Sequence, residues 1–336
     1  MSTNQFTEDS YEQTLIDLFQ RMGYQYECGY DVERDFREPW YVADLQKALR
    51  KQNPKASDEV LTEAYRIVTH VNEGTLEQRN EQMMDYLQNG VEVKYAEQGR
   101  QKTALVRLID FEHPLQNQFK VCNQWRVGAD YKSTPAIRCD MVVFVNGLPL
   151  VVIELKSPAN DNVEEEDAYL QIKQYQQKCP SLFVYNAFSV TSDMLTTKAG
   201  TLTAKQNRYM EWKNPSERGQ SEARFYSAER KDFQPKVKSR DGKTETVEVI
   251  DYETFFEGIF RRERFIDILQ NFLCFDHKDG RTAKIMAAYH QYFAVNKALV
   301  KTGKAIGGDG KIGVFWHTQG SGKSLSMVFY VHRLIQ

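Results

Sequence analysis

The sequence predicts an α/β fold in two parts, a first domain over residues 1–250 and the beginning of a second over 251–336. Three observations carry this. Strand signals dominate from residue 103 onward, in apolar runs too short for helices. A helical pattern at about 163–178 follows the strand Leu150–Leu155 directly, as in layered α/β proteins. Finally, Ile312–Met327 runs from a short apolar strand through a glycine-rich turn into a helix start.

Taken in order, residues 10–22 read as an amphipathic helix with Leu15, Leu18, Phe19 and Met22 on one stripe and Asp9 or Ser10 as its cap. Residues 40–90 give several polar helices, punctuated by Pro54 and Gly74, that look like a helical insertion. Strands are expected at Ala104–Ile109, Phe119–Val127, Ile137–Val145 and Leu150–Leu155, with Asn146-Gly147 as a hairpin signal between the last two. Leu182–Val190 reads as a further strand. In 205–245, eleven Lys and Arg stand against seven Asp and Glu, with Tyr209, Trp212, Phe225, Tyr226 and Phe233 interspersed. That mixture suits a nucleic-acid surface, and equally a solvated loop region. Phe255–Phe275 and Ala283–Lys301 read as helices, and a glycine-rich loop, Gly303–Gly310, leads into the last strand.

The 336 residues leave room for about two domains, and 41% hydrophobic with 27% charged residues is an ordinary globular composition. A net charge of −2 supplies no global pull toward nucleic acid, so any such binding must use local patches. The N-terminal residues show no signal-peptide pattern and no apolar run reaches membrane-spanning length, so cytoplasm is the default compartment. The five cysteines and six histidines show no metal or disulfide spacing.

The first chemical constellation spans residues 137–158, with Asp140 near the start of one strand and Glu154-x-Lys156 at the end of the next. Residues i and i+2 share a sheet face, so Glu154 and Lys156 point the same way. Two carboxylates on one face can hold Mg²⁺, and a nearby ammonium can orient water and offset developing charge. Glu-x-Lys also occurs at Glu92/Lys94, Glu211/Lys213 and Glu229/Lys231, but only the 154/156 copy sits in a buried-looking strand paired with another bearing an acid. The plainer alternative is a structural ion pair of Glu154 with Lys156 or Arg138. A plain two-residue turn at Asn146-Gly147 would set Asp140 opposite Ile153 and turn it away from Glu154. A metal site therefore requires a bulge or a three-residue loop, an irregularity that Pro149 suits. Glu12 could add a metal-side carboxylate or be a surface residue. Gln171 and Tyr175, one helical turn apart, share a face behind the Glu-x-Lys strand or form a half-buried helix contact.

The second constellation is a phosphate cradle. Gly320 and Gly322 free the backbone around Ser321, Lys323 reaches toward the β/γ-phosphates, and Ser324 is placed for Mg²⁺, so ATP is the expected ligand. The strict pattern wants Gly where this chain has His317, so the match is to a relaxed form. Gln291, upstream on a helix, could read adenine through its amide or face solvent. No acidic strand end follows the loop, and Asp58-Glu59 lies far upstream. The chain thus reads as the front part of a longer motor protein, not expected to hydrolyse ATP as it stands.

Asp140…Glu154-x-Lys156, with Gln171-x-x-x-Tyr175 behind it and the loop Gly320-Ser321-Gly322-Lys323-Ser324 downstream, resembles the restriction (R) subunit of type I restriction–modification enzymes. The order, nuclease before motor, separates it from type III subunits. The resemblance implies a PD-(D/E)xK-type, restriction-endonuclease-like domain with a mixed central sheet, followed by the start of a RecA-like superfamily 2 translocase. It implies Mg²⁺-dependent endonucleolytic cleavage of double-stranded DNA coupled to ATP-driven translocation, with modification (M) and specificity (S) subunits as partners and no membrane. Under it Asp140, Glu154 and Lys156 are catalytic, Gln171 and Tyr175 are accessory, and Gln291 reads adenine. A repair-type nuclease–helicase fusion and a non-catalytic ATP- or DNA-binding module are the competing readings.

Overall fold

The computed structural model describes residues 8–128, 135–156, 165–194, 196–215, 252–278, 280–308, 310–316 and 318–335, with short segments at 221–222, 236–238 and 244–246. Its centre is a mixed sheet of six strands, β1 (Gln25–Cys28), β4 (Phe119–Val127), β5 (Ile137–Val145), β6 (Leu148–Leu155), β7 (Phe188–Ser192) and β8 (Thr197–Gly200), adjacent in that order. The pairs β4/β5, β5/β6 and β7/β8 are antiparallel, whereas β1/β4 and β6/β7 are parallel. β6 is buried at every position and is almost wholly apolar, as a strand covered on both faces requires.

One face carries Met141, Val143, Val151 and Ile153 into a large core shared with α1 (Glu8–Arg21), α2 (Val42–Gln52), α3 (Asp58–Thr69) and α4 (Leu76–Asn89). The helices over 40–90 therefore pack on the sheet itself. Val142, Phe144 and Val152 point the other way, against Ile172 and Tyr175 of α5 (Glu165–Lys178) and Leu182 of α6 (Pro180–Phe183). β2 (Val91–Glu97) and β3 (Arg100–Val106) form a separate hairpin, as do β13 (Leu273–Lys278) and β14 (Arg281–Met286). Two small ladders join β9 (Asn214–Pro215) to β10 (Ser221–Glu222) and β11 (Lys236–Lys238) to β12 (Thr244–Thr246). Helices α7 (Tyr252–Phe260) and α8 (Arg262–Asn271) pack aromatic edges onto the first core, Tyr252 on Tyr11, Phe256 on Phe19 and Phe265 on Phe188. The aromatic core thus runs across residue 250. Helix α9 (Tyr289–Ile306) and helix α10 (Lys323–Leu334) complete the described chain.

Several expectations are corrected. Helix α1 already includes Glu8, so Asp9 and Ser10 lie inside it. Leu182–Val190 is not one strand: Pro180 opens the short helix α6 and β7 begins only at Phe188. The helices expected at Phe255–Phe275 and Ala283–Lys301 are cut short by the hairpin β13/β14, which takes 273–275 from the first and 283–286 from the second, with Lys278 facing Arg281. Helix α9 runs through Gly303. The apolar segment 312–316 pairs with no strand among the described residues and is open to solvent, Val314 at 93% and Trp316 at 79% exposure. A strand of that kind is held by neighbours on both sides, and none pairs with it among the described residues. Tyr209 and Trp212 are core residues rather than a nucleic-acid surface; Trp212 is 1% exposed against Tyr292 and Phe293. Phe225, Tyr226, Phe233 and His317 lie outside the described residues. The five cysteines are free thiols, and among the described residues no helix is long and apolar enough to cross a membrane.

Candidate active site

The geometry of β5 and β6 decides whether Asp140 can meet Glu154. The connection is a two-residue turn, with Asn146 at φ 52° and Gly147 at φ 82°, and Val145 faces Leu148. Both positive φ values match a primed turn. A side chain at Gly147 would meet the backbone N of Leu45 at 2.6 Å, so the turn also fixes how closely α2 approaches. Phe144 then faces Pro149, but Val143 faces Val151, leaving Leu150 as an extra residue on β6. This bulge is the irregularity the sequence called for. It carries the pairing to Met141 with Ile153, and so sets Asp140 across from Glu154.

Asp140 is 8% exposed and Glu154 1%. Asp140 Oδ2 accepts a hydrogen bond from the Leu155 amide at 2.8 Å. Glu154 Oε1 accepts one from Lys156 Nζ at 2.7 Å, whereas Glu154 Oε2 is buried and meets no N–H donor among the described residues. Burial, then the neighbouring Asp140, pushes the Glu154 carboxyl up to about 8. Burial also raises Asp140, against the pull of the Leu155 amide and Lys156. Burial alone would lower Lys156, but Glu154, Asp140 and Glu8 together outweigh it and hold the ammonium above its usual range.

Behind the lysine, Gln171 Oε1 lies 3.5 Å from Nζ, and its amide donates to the Tyr175 hydroxyl at 2.7 Å. Tyr175 in turn donates to the Arg138 carbonyl of β5 at 2.7 Å. The pair Gln171 and Tyr175 therefore braces Lys156 against β5. Helix α1 is tied to the same end of the sheet: the Tyr11 hydroxyl lies 2.6 Å from Ser192 Oγ, and the Lys156 amide donates to the Ser192 carbonyl. Glu12 spends its two oxygens on the amides of Asn123, 2.6 Å, and Gln124, 2.7 Å. Among the described residues no three His, Cys, Asp or Glu side chains converge as a metal cluster, so the acids brought together are Asp140 and Glu154.

Two residues near this site escaped the sequence reading. Glu8, one turn before Glu12, is raised by burial and by Asp140, and eased by Lys156, so its charge is felt there. Its i−4 relation to Glu12 was the available signal. Gln124 adopts φ 52° and drops out of the β4/β5 ladder opposite Asp140, a strain no pattern in the sequence marks.

The second site forms where α10 begins. Gly320 and Gly322 take φ 82° and 77°, and Gly322 caps α10 in the left-handed conformation. Lys323 Nζ donates to the Thr318 carbonyl at 3.2 Å, and Ser321 Oγ to the same carbonyl at 2.7 Å. Ser324 lies exposed in the first turn of α10. Gln291 is buried: its Oε1 accepts from the Ala288 amide at 2.9 Å, and its Nε2 donates to the Gly322 carbonyl at 3.1 Å. A cavity of about 580 Å³ opens here, lined among others by His290, Gln291, Gly320, Gly322 and Arg208. That volume is of the size ligand pockets occupy.

Comparison with known proteins agrees with both halves. The family described as "Type I restriction enzyme R protein N terminus" matches residues 5–208, and "SWI2/SNF2 ATPase" matches 290–336. The "Type I restriction enzyme HindI endonuclease subunit" of Haemophilus influenzae is 34% identical over 341 residues, covering 98% of this chain and 30% of that protein. A Methanocaldococcus jannaschii protein, provisionally the type I restriction enzyme MjaIXP endonuclease subunit, is 31% identical over 351 residues, covering 97% of this chain and 31% of its own length. The chain spans about a third of the length of these relatives. It belongs to the family of type I restriction enzyme R proteins.

Proposed function

We propose that this chain carries the DNA-cutting centre of a type I restriction–modification enzyme, in a PD-(D/E)xK-type domain, together with the nucleotide loop of a superfamily 2 motor. Its substrate is double-stranded DNA, its partners are the M and S subunits, and its compartment is the cytoplasm. The observation that supports this best is Glu154 Oε2, a buried carboxylate oxygen that no N–H donor among the described residues meets, next to the acid Asp140 and beside Lys156. A buried acid in that state is costly unless something completes it. Hard oxygen donors suit Mg²⁺, so Asp140 and Glu154 would hold the ion. When bound, it would polarise the phosphoryl group and lower the pKa of water.

The chain's own residues do the rest. Lys156 places a fixed positive charge beside the two acids, where it attracts a phosphate oxygen and orients a water. Gln171 and Tyr175 hold that ammonium in place through hydrogen bonds to β5, so little reorganisation accompanies the reaction. At the second site, the glycine loop and the N-terminus of α10 suit the phosphates of ATP, with Gln291 at the edge of the cavity that would receive the base.

The test uses the full-length subunit assembled with its M and S partners, ATP, Mg²⁺ and circular DNA bearing an unmethylated site. Asp140→Asn and Lys156→Ala should each lower cleavage at least ~100-fold while ATP hydrolysis continues. Cleavage at the normal rate in either variant sinks the assignment.

A further inference from the structure

Lys284, on β14, is 3% exposed, and among the described residues its amine has no carboxylate as a hydrogen-bond partner. Its Nζ donates to Asn80 Oδ1 of α4 at 2.9 Å and to the Asn186 carbonyl, just before β7, at 2.7 Å. Its backbone is clasped as well: the Thr201 hydroxyl donates to the Lys284 carbonyl at 2.6 Å, and the Lys284 amide to Thr203 Oγ1 at 2.8 Å. Burial holds the amine well below the usual lysine range. An apolar residue would fill such a place at less cost, so the amine stands out as a link between elements.

The link leads both ways. On one side, the Ala187 amide donates to the Leu150 carbonyl at 2.7 Å, and Asn186 Nδ2 reaches the same carbonyl at 3.5 Å. Leu150 is the bulged residue that sets Glu154 across from Asp140. On the other side, β14 ends at Met286, two residues before Ala288, the cap of α9 whose amide Gln291 Oε1 accepts. Gln291 Nε2 grips the glycine-loop carbonyls of Ser321 and Gly322. Nε2 carries two N–H donors and both go to the loop, so a nucleotide base that takes one must release one of those two carbonyls.

We propose that Lys284 is a positioning residue that carries the state of the nucleotide loop to the bulge of β6, and so to the placement of Glu154. The proposal rests on the reading of the two sites given above. Ligand-coupled elements of this kind shift one another's equilibria reciprocally, typically by ~5- to 150-fold.

The experiment is hydrogen exchange on the full-length subunit, with and without a non-hydrolysable ATP analogue, reading the peptide that covers residues 148–155. In the wild type the analogue should change exchange of that peptide at least ~5-fold. Lys284 and Thr201 also line the nucleotide cavity, so the analogue is used at a concentration that saturates each variant; in Lys284→Met the change should then fall below ~2-fold, a pattern that a merely structural lysine would not produce. Thr201→Val, which removes only the hydroxyl bond to the Lys284 carbonyl, serves where Lys284→Met fails to fold, and should weaken the response in the same direction. No change in the wild type, or an undiminished response in the folded variants, overturns the proposal. Cleavage by Asp140→Asn tests the nuclease reading separately, since that variant leaves the lysine's contacts in place.

Discussion

Replacing Glu154 by Gln should make the metal-free protein more stable while removing its cleavage activity. Glu154 is an acid whose folded-state pKa lies near 8, against 4.5 as its ordinary value. A raised carboxyl destabilises the folded state above the ordinary value: the penalty begins near pH 4.5, grows with pH and levels off near 8. At pH 7 the gap of roughly 2.5 units corresponds to ~3 kcal/mol. Gln has the same shape and no charge, so it removes that penalty and forfeits part of the bond to Lys156. The expected net gain is ~2 kcal/mol, or a few degrees of melting temperature. Thermal denaturation in EDTA from pH 5 to 8.5 reads it, with the variant's advantage widening as pH rises. Adding Mn²⁺ should raise the melting temperature of the wild type and leave Glu154→Gln unmoved. A variant no more stable than the wild type at pH 8, or a gap that does not change with pH, refutes the reasoning.

Three further outcomes follow from the contacts. Gln171→Leu removes the brace on Lys156 and should lower cleavage by the assembled enzyme about tenfold, with ATP hydrolysis unchanged. Trp212→Ala should cost ~3–5 kcal/mol in chemical denaturation, because its ring is core, and should leave the salt dependence of DNA binding where it was. Lys284 has a depressed folded-state pKa, so the unfolded chain binds its proton more readily; stability should therefore rise with pH from the folded value toward ~10.4. Wild type should accordingly gain on Lys284→Met over that window, by up to ~1.4 kcal/mol per pH unit in urea titrations.

The sheet centre was the most legible part of the fold. β4 and β5 were read to their observed ends, because Phe119–Val127 and Ile137–Val145 are long runs of apolar and β-branched residues bounded by turn signals. The juxtaposition of Asp140 and Glu154 was legible through a contradiction: a regular hairpin would part them, a shared site would need a distortion, and Leu150 supplies one. Its position was not readable, since every residue of β6 is buried and the strand has no alternation to break. Only the flanks of the hairpin β13/β14, 273–275 and 283–286, read as helix, although Asp279-Gly280 between Lys278 and Arg281 is a turn signal in the sequence. Glu12 and Gln291 show a different limit of sequence. Each is placed near its site, but only side-chain geometry reveals that amides occupy Glu12 and that Gln291 is spent on the loop.

The central claim is that Asp140 and Glu154 together seat a divalent cation beside Lys156. Anomalous scattering from crystals of the protein soaked in Mn²⁺ addresses it most directly. A manganese peak shared by the Asp140 and Glu154 carboxylates, and absent from Glu154→Gln crystals, is the predicted result. A difference map with Mn²⁺ bound elsewhere, and none between these two acids at saturating concentration, would contradict the account.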